Sequence, residues 1–214
     1  MAERQVRIPV GGFSLECLLE PKDGIEAAII CHPHPLYGGS MDNNVVEAAR
    51  GAFASLGMET LRFNSRGVGG SGGRYDDGEG EVDDLLAVAK FLETRGKSAI
   101  HLAGYSFGSW IAMKTLARGL RPVSLTAISP PLDFLPFRDL QPPHAPTLVT
   151  IGDRDAFCSQ ASLKNWISSR LSPDRVLEME RFSDCDHFYA GFESRLAARI
   201  AAFHRTHFGG PQTA

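Results

Sequence analysis

The 214-residue chain has no apolar run of membrane-spanning length. Its longest apolar stretches, such as Glu26 to Cys31, are strand-sized, against the ~20 residues a bilayer crossing needs. No block of like charge stands out, and a formal net charge of −3 leaves no concentrated basic surface. Neither nucleic acid nor a membrane is therefore expected as a partner. The four cysteines (Cys17, Cys31, Cys158, Cys185) contain no C-x-x-C pair, which removes the usual zinc and redox signatures. No signal-like apolar core follows the opening Met-Ala-Glu-Arg-Gln, so a cytoplasmic location is expected. There is no internal repeat and no linker, and the length suits one sizeable domain over residues 1–208, with 209–214 as a disordered tail.

What the chain does contain is an alternation of short apolar runs with longer amphipathic ones. Strands are expected at Gln5–Val10, Phe13–Leu19, Ala27–Cys31, Met58–Phe63, Ala99–Ala103, Val123–Ile128, Thr147–Ile151 and Val176–Glu180. Helices are expected at Val45–Leu56, Glu81–Leu92, Phe107–Arg118, Leu163–Leu171 and Glu193–Phe203. Gly57 and Gly119 stand where helix C-caps favour glycine. Such alternation predicts an α/β class: a mostly parallel twisted sheet with helices on both faces. The proline-rich stretch Pro130–Pro146 has no helical period and is too short for a second domain.

Gly104-Tyr105-Ser106-Phe107-Gly108 matches G-x-S-x-G, and so does Gly69-Gly70-Ser71-Gly72-Gly73. Context separates them. A nucleophile elbow needs a strand running into a sharp turn that opens a helix. Ala99–Ala103 and Trp110, Ile111, Met113 and Leu116 supply both for Ser106, whereas Arg-Tyr-Asp-Asp-Gly-Glu follows Gly73 and supplies neither. Ser106 is the expected nucleophile, and the helix start beside it brings free N–H groups and partial positive charge.

A serine nucleophile needs a base, and in elbow-bearing hydrolases the chain order is serine, acid, histidine. Of seven histidines, only His187 lies late in the chain and in a loop between the last strand and last helix. Asp155, just past the Thr147–Ile151 strand, is the expected acid; Asp153 and Asp133 are its rivals. An oxyanion hole is expected from the backbone N–H of Phe107 and one from His32-Pro33-His34-Pro35-Leu36. Prolines cannot donate, so His34 ranks first and Leu36 second, with the His34 side chain expected to be dispensable. His32-x-His34 has no carboxylate or third histidine spaced to complete a metal site, so neither metal nor cofactor is expected. Tyr37, Phe107, Trp110, Phe134, Phe137, Phe157, Phe188 and Tyr189 are candidates to border the site, with Trp110 assigned to the core.

With these residues placed, the chain resembles the α/β-hydrolases, and most of all small bacterial lid-less serine hydrolases distantly similar to dienelactone hydrolases. The likeness rests on His32–Val46, Arg62–Gly72, Gly104–Gly108, Gly152–Asp155 and Asp186-His187, in that order. It implies a Ser106–Asp155–His187 catalytic triad without a cap domain. A pocket bordered by those aromatics and left shallow and open without a lid suits small-molecule carboxylic esters or thioesters with short uncharged acyl groups. Serine stands where dienelactone hydrolases carry cysteine. A peptidase or perhydrolase would use the same machinery, and a non-catalytic binding protein is the rival from another class. Gly67-Val-Gly-Gly-Ser-Gly72 also fits G-x-G-x-x-G, but Asp76, Asp77, Glu79 and Glu81 follow it and would repel a pyrophosphate. No oligomeric state is implied.

Overall fold

The computed structural model describes residues 2–140, 143–168 and 176–209. Eight strands form one sheet: β1 (Arg4–Val10), β2 (Phe13–Glu20), β3 (Glu26–Cys31), β4 (Glu59–Phe63), β5 (Ala99–Tyr105), β6 (Ser124–Ile128), β7 (Thr147–Gly152) and β8 (Leu177–Phe182). Their order across the sheet is β1-β2-β4-β3-β5-β6-β7-β8. The pairs β1·β2 and β2·β4 are antiparallel and every other pair is parallel. Helices α1 (Asn44–Ser55), α2 (Glu79–Thr94), α3 (Phe107–Ala117), α4 (Gln160–Ser168) and α5 (Glu193–Phe208) cover the two faces.

The parallel strands read as unbroken apolar runs because both of their faces are buried. Along β3, Ala27, Ile29 and Cys31 face a cluster built with α2, α3 and α4, while Ala28 and Ile30 face one built with α1 and α5. Val82, Leu85, Ala89 and Leu92, at helical spacing along α2, all join the first cluster. That helix starts earlier than expected, at Glu79, because the Glu81 carboxylate accepts the N–H of Gly78 (2.8 Å) and of Asp76 (3.0 Å) and so caps it. Arg95 caps the end of α2 through its N–H, which donates to Leu92 O (3.0 Å), while its guanidinium pairs with the buried Glu59 of β4 at 2.9 Å. α5 runs past Phe203 to Phe208 because His204 and Phe208 pack over Phe53 and His101. Residues 169–171, expected in α4, and residues 210–214 of the tail expected over 209–214 lie outside the described residues. The described residues between β6 and β7 form turns rather than a cap, with Phe137 buried in the core.

The carboxyl ends of the parallel strands deliver the chemistry-bearing loops to one edge of the sheet, where open α/β sheets place their ligands. β3 leads into His32–Gly39, β5 into Ser106, β7 into Asp155 and β8 into His187.

Three other histidines are locked in the interior, and each is held neutral. Burial pushes His32 and His101 down to about 4. It pushes His204 down to about 3, with His101 and His207 adding to the effect. Neither ring nitrogen of His204 has a hydrogen-bond partner among the described residues, while His101 Nδ1 meets Ser124 Oγ at 2.7 Å. Above the unfolded value of 6.5, folded and unfolded chains hold these rings alike and the stability is fully present. Below it the unfolded chain binds protons that the folded one refuses, at roughly 1.4 kcal/mol per pH unit per ring. Urea unfolding followed by circular dichroism should therefore show stability falling from pH 6.5 toward 4. His204→Phe, which keeps a ring and loses the proton site, should flatten that fall; curves parallel to wild type would refute the assignment.

Candidate active site

Ser106 occupies the turn between β5 and α3 with φ 52° and ψ −119°, a conformation costing an L-residue about 1–3 kcal/mol. It is pinned from both sides. Its N–H donates to Ile128 O at the end of β6 (2.8 Å), and its carbonyl accepts from Ser109 N–H (2.9 Å) and Oγ–H (2.6 Å). A Cβ at Gly104 would lie 2.3 Å from Gly108 O, and one at Gly108 would lie 2.4 Å from Cys31 O. Only glycines on both sides of the serine let β3, β5 and α3 converge here.

His187 arrives on the loop after β8, and that loop is tied down by buried polar contacts. The Tyr105 hydroxyl donates to His187 O (2.8 Å). Tyr189, fully buried, shares its hydroxyl with Ser129 Oγ and Thr150 Oγ1, both at 3.1 Å. Arg154 N–H donates to Cys185 O (2.9 Å), which stitches the loop to the one after β7. Gly152 permits this approach, since a Cβ there would sit 2.2 Å from Cys185 O.

Asp155 lies in the β7 loop with its side chain wholly buried. Its Oδ1 accepts the N–H of Phe157 at 2.8 Å, and both oxygens face His187 Nδ1, at 3.0 and 2.9 Å. A carboxylate accepts, so Nδ1 donates and carries the ring proton. Nε2 is then the acceptor for Ser106 Oγ–H, 2.9 Å away. The structure thus brings Ser106, His187 and Asp155 into one hydrogen-bonded line. The rival carboxylates are turned elsewhere. Asp153 faces Arg181 (3.9 Å), Asp184 pairs with Arg154, Asp186 accepts Phe188 N–H (2.9 Å), and Asp133 accepts Ser159 N–H (2.5 Å). Ser71 braces a loop, accepting Glu16 N–H (2.8 Å) and donating to Asn64 O (2.6 Å).

Beside Ser106, Leu36 N–H is taken up by His34 Nδ1 (3.2 Å), which removes the second-ranked donor of that loop. Phe107 opens α3, where a backbone N–H has no partner inside the helix. His32 is not a free ligand. Its Nδ1–H donates to Pro33 O (2.6 Å), and Nε2 accepts Ser65 N–H (3.0 Å). Among the described residues no three or more His, Cys, Asp or Glu side chains are arranged to hold a metal ion.

A cleft of about 270 Å³ opens over Ser106, lined by His34, Tyr37, Phe107, Pro131, Phe134, Leu135 and Phe157. Four of the candidate aromatics therefore border it, while Phe188 stands exposed beside the His187 ring, 5.8 Å between centroids. Phe137 and Tyr189 belong to the core instead, and Trp110 is buried there as expected. Sequence reasoning singled out the Gly152–Asp155 block but not the packing role of Gly152, which is visible only once two loops cross. It also missed Tyr75, whose hydroxyl meets His34 Nε2 at 3.3 Å from a loop with no periodic signal.

Residues 33–211 match the family model described as "Alpha/beta hydrolase family". The chain is 35% identical to an alpha-beta serine hydrolase homologue from Coxiella burnetii, with a TM-score of 0.86 over 94% of this chain and 97% of that one. It is 33% identical, with a TM-score of 0.86, to XC6422 from Xanthomonas campestris, a serine hydrolase without a lid, over 100% of this chain and 98% of that one. Uncharacterized protein RP471 of Rickettsia prowazekii (strain Madrid E) is 36% identical over 170 residues, covering 76% of this chain and 71% of that protein. The sheet order, the strained serine at the end of β5 and the matched family model together place this chain in the α/β-hydrolase family, to which it belongs.

Proposed function

We propose that this protein is a serine hydrolase that cleaves small, uncharged, short-acyl esters or thioesters through an acyl-enzyme. The observation that carries the reading is the unbroken line of hydrogen bonds from Ser106 Oγ through the His187 ring to Asp155, at 2.9 Å on each side of the ring. Serine is a weak nucleophile until a base takes its proton. In this reading His187 Nε2 removes it as Oγ attacks the acyl carbon. Asp155 keeps the imidazole in the Nδ1–H tautomer and stabilises the imidazolium. The oxyanion forms against the N–H groups of Phe107 and His34, beside the positive end of α3. His187 then protonates the leaving alcohol or thiol, and water repeats the sequence to release the acid.

The cleft supports the choice of substrate. Among the described residues no acidic or cationic side chain lines it, and burial lowers the pKa of His34, its one titratable ring apart from the Tyr37 phenol. An apolar surface of this kind favours uncharged acyl groups, and about 270 Å³ is room for a short chain rather than a fatty one.

Wild type should turn over p-nitrophenyl butyrate and label with a fluorophosphonate probe, and Ser106→Ala should lose both while unfolding at the same temperature. A well-folded wild type that does neither would overturn the reading. Across a p-nitrophenyl ester series, kcat/KM should peak at short acyl chains; a maximum at decanoyl or beyond would contradict the open-cleft argument. Asp155→Asn should lower kcat by about 10⁴-fold through the wrong tautomer, and Asp153→Asn should change it little. Reversed outcomes in that pair would move the acid to Asp153.

A further inference from the structure

In the scheme above only the backbone of His34 acts. Its ring, however, is engaged at both nitrogens and packs on neighbouring aromatic rings. Leu36 N–H donates to Nδ1 at 3.2 Å, so Nδ1 carries no proton and the neutral ring holds its proton on Nε2. Nε2 faces the Tyr75 hydroxyl at 3.3 Å. Burial and the negative charge of Asp77 raise the pKa of that phenol and keep it neutral, and its oxygen can accept from Nε2–H. The same ring packs on Phe107, with 4.7 Å between centroids, and on Tyr75 at 5.2 Å.

We propose that the His34 ring and the Tyr75 hydroxyl form a latch that sets the two oxyanion donors against each other, and that Tyr75 is a positioning residue for acyl transfer. The inference rests on the serine-hydrolase reading. The two proposed donors come from different elements: His34 N–H from the loop after β3, and Phe107 N–H from the first turn of α3. Both must point at one oxygen about 3 Å away, and a loop donor left to drift loses most of its value to the transition state. The His34 ring is the piece that links them. Through Nδ1 it closes the turn that contains its own N–H, and through its face it rests on the side chain of Phe107. Tyr75 fixes the ring from the third side, out of the loop that precedes α2. Burial lowers the pKa of His34 and so favours the neutral form the latch requires, because a protonated Nδ1 would turn a donor against Leu36 N–H. On this proposal the His34 side chain, expected to be dispensable, serves to hold its own N–H in place. The plainer alternative is that Tyr75 merely fills space against His34 and Phe107.

Kinetics and a spectrum separate these. Tyr75→Phe keeps the ring contacts and removes only the hydroxyl. Its kcat on p-nitrophenyl butyrate should fall by about tenfold, with KM within about twofold of wild type. His34→Ala should fall at least as far, whereas His34→Asn should recover several-fold over it, since an asparagine side chain can accept the N–H two residues on. In protein labelled with ¹⁵N-histidine, the His34 signals, assigned by their loss in His34→Asn, should show the Nε2–H tautomer. A Tyr75→Phe enzyme with wild-type kcat, or a His34 ring protonated on Nδ1, would overturn the latch. Those results leave the serine-hydrolase reading intact, because wild-type turnover and fluorophosphonate labelling test it separately. A folded wild type with neither would take both down together.

Discussion

The carbonyl of Cys31 lies where a side chain on Gly108 would have to begin, and the carbonyl of Gly108 lies where one on Gly104 would begin. This backbone-to-backbone approach is the constraint around which the Ser106 edge of the sheet is built. It presses the end of β3 and the start of α3 together and forces the single residue between β5 and α3 into a strained turn. The strain, of order 1–3 kcal/mol, is small against the burial that surrounds it, since each fully buried aliphatic side chain contributes about 1.5–3 kcal/mol. Two apolar clusters, one on each face of the sheet, hold β3 and β5 in register, and the serine has no relaxed alternative.

The other half of the site depends on buried polar groups rather than on apolar packing. The loops carrying Asp155 and His187 are longer and less regular than the elbow, and their backbone groups need partners once they leave the sheet. Arg154 N–H to Cys185 O, Asp153 N–H to Phe182 O and Tyr105 Oη–H to His187 O supply them. Tyr189, buried to the hydroxyl, ties the turn after His187 back to β7 and to the end of β6. The carboxylate and imidazole meet because their loops are sewn to each other, not because either residue is constrained by its own neighbours in sequence. Asp184 and Asp186, adjacent to His187 in the chain, face Arg154 and Phe188 N–H instead.

The histidines show how environment divides one residue type among several tasks. His32 braces Ser65 and its own loop, His101 and His204 are buried ring fillers, and His207 pairs with Glu178. His34 and His187 alone stand at the cleft side of Ser106, one against Phe107 and the other in line with the serine hydroxyl. Such a division is electrostatic and steric in origin. Burial removes the option of charge from the interior rings, and a carboxylate facing Nδ1 sets which nitrogen of His187 can accept.

Much of this was legible in the chain alone. Strand and helix order follow from apolar runs set against helical spacing, and the α/β class follows from their alternation, because both are local patterns that burial imposes on nearby residues. Ser106 was separable from Ser71 because an elbow needs a strand before it and a helix after it. Asp155 and His187 were legible as candidates from their positions past β7 and β8. Tertiary structure alone decided that Asp155 and not Asp153 faces the imidazole, that Phe137 and Tyr189 turn inward, and that Leu36 N–H is spent on the His34 ring. Each of these is a contact between loops, where no periodicity links sequence to direction. A helix or strand announces its buried face every few residues, whereas a loop side chain takes its direction from whatever distant backbone happens to pass beside it.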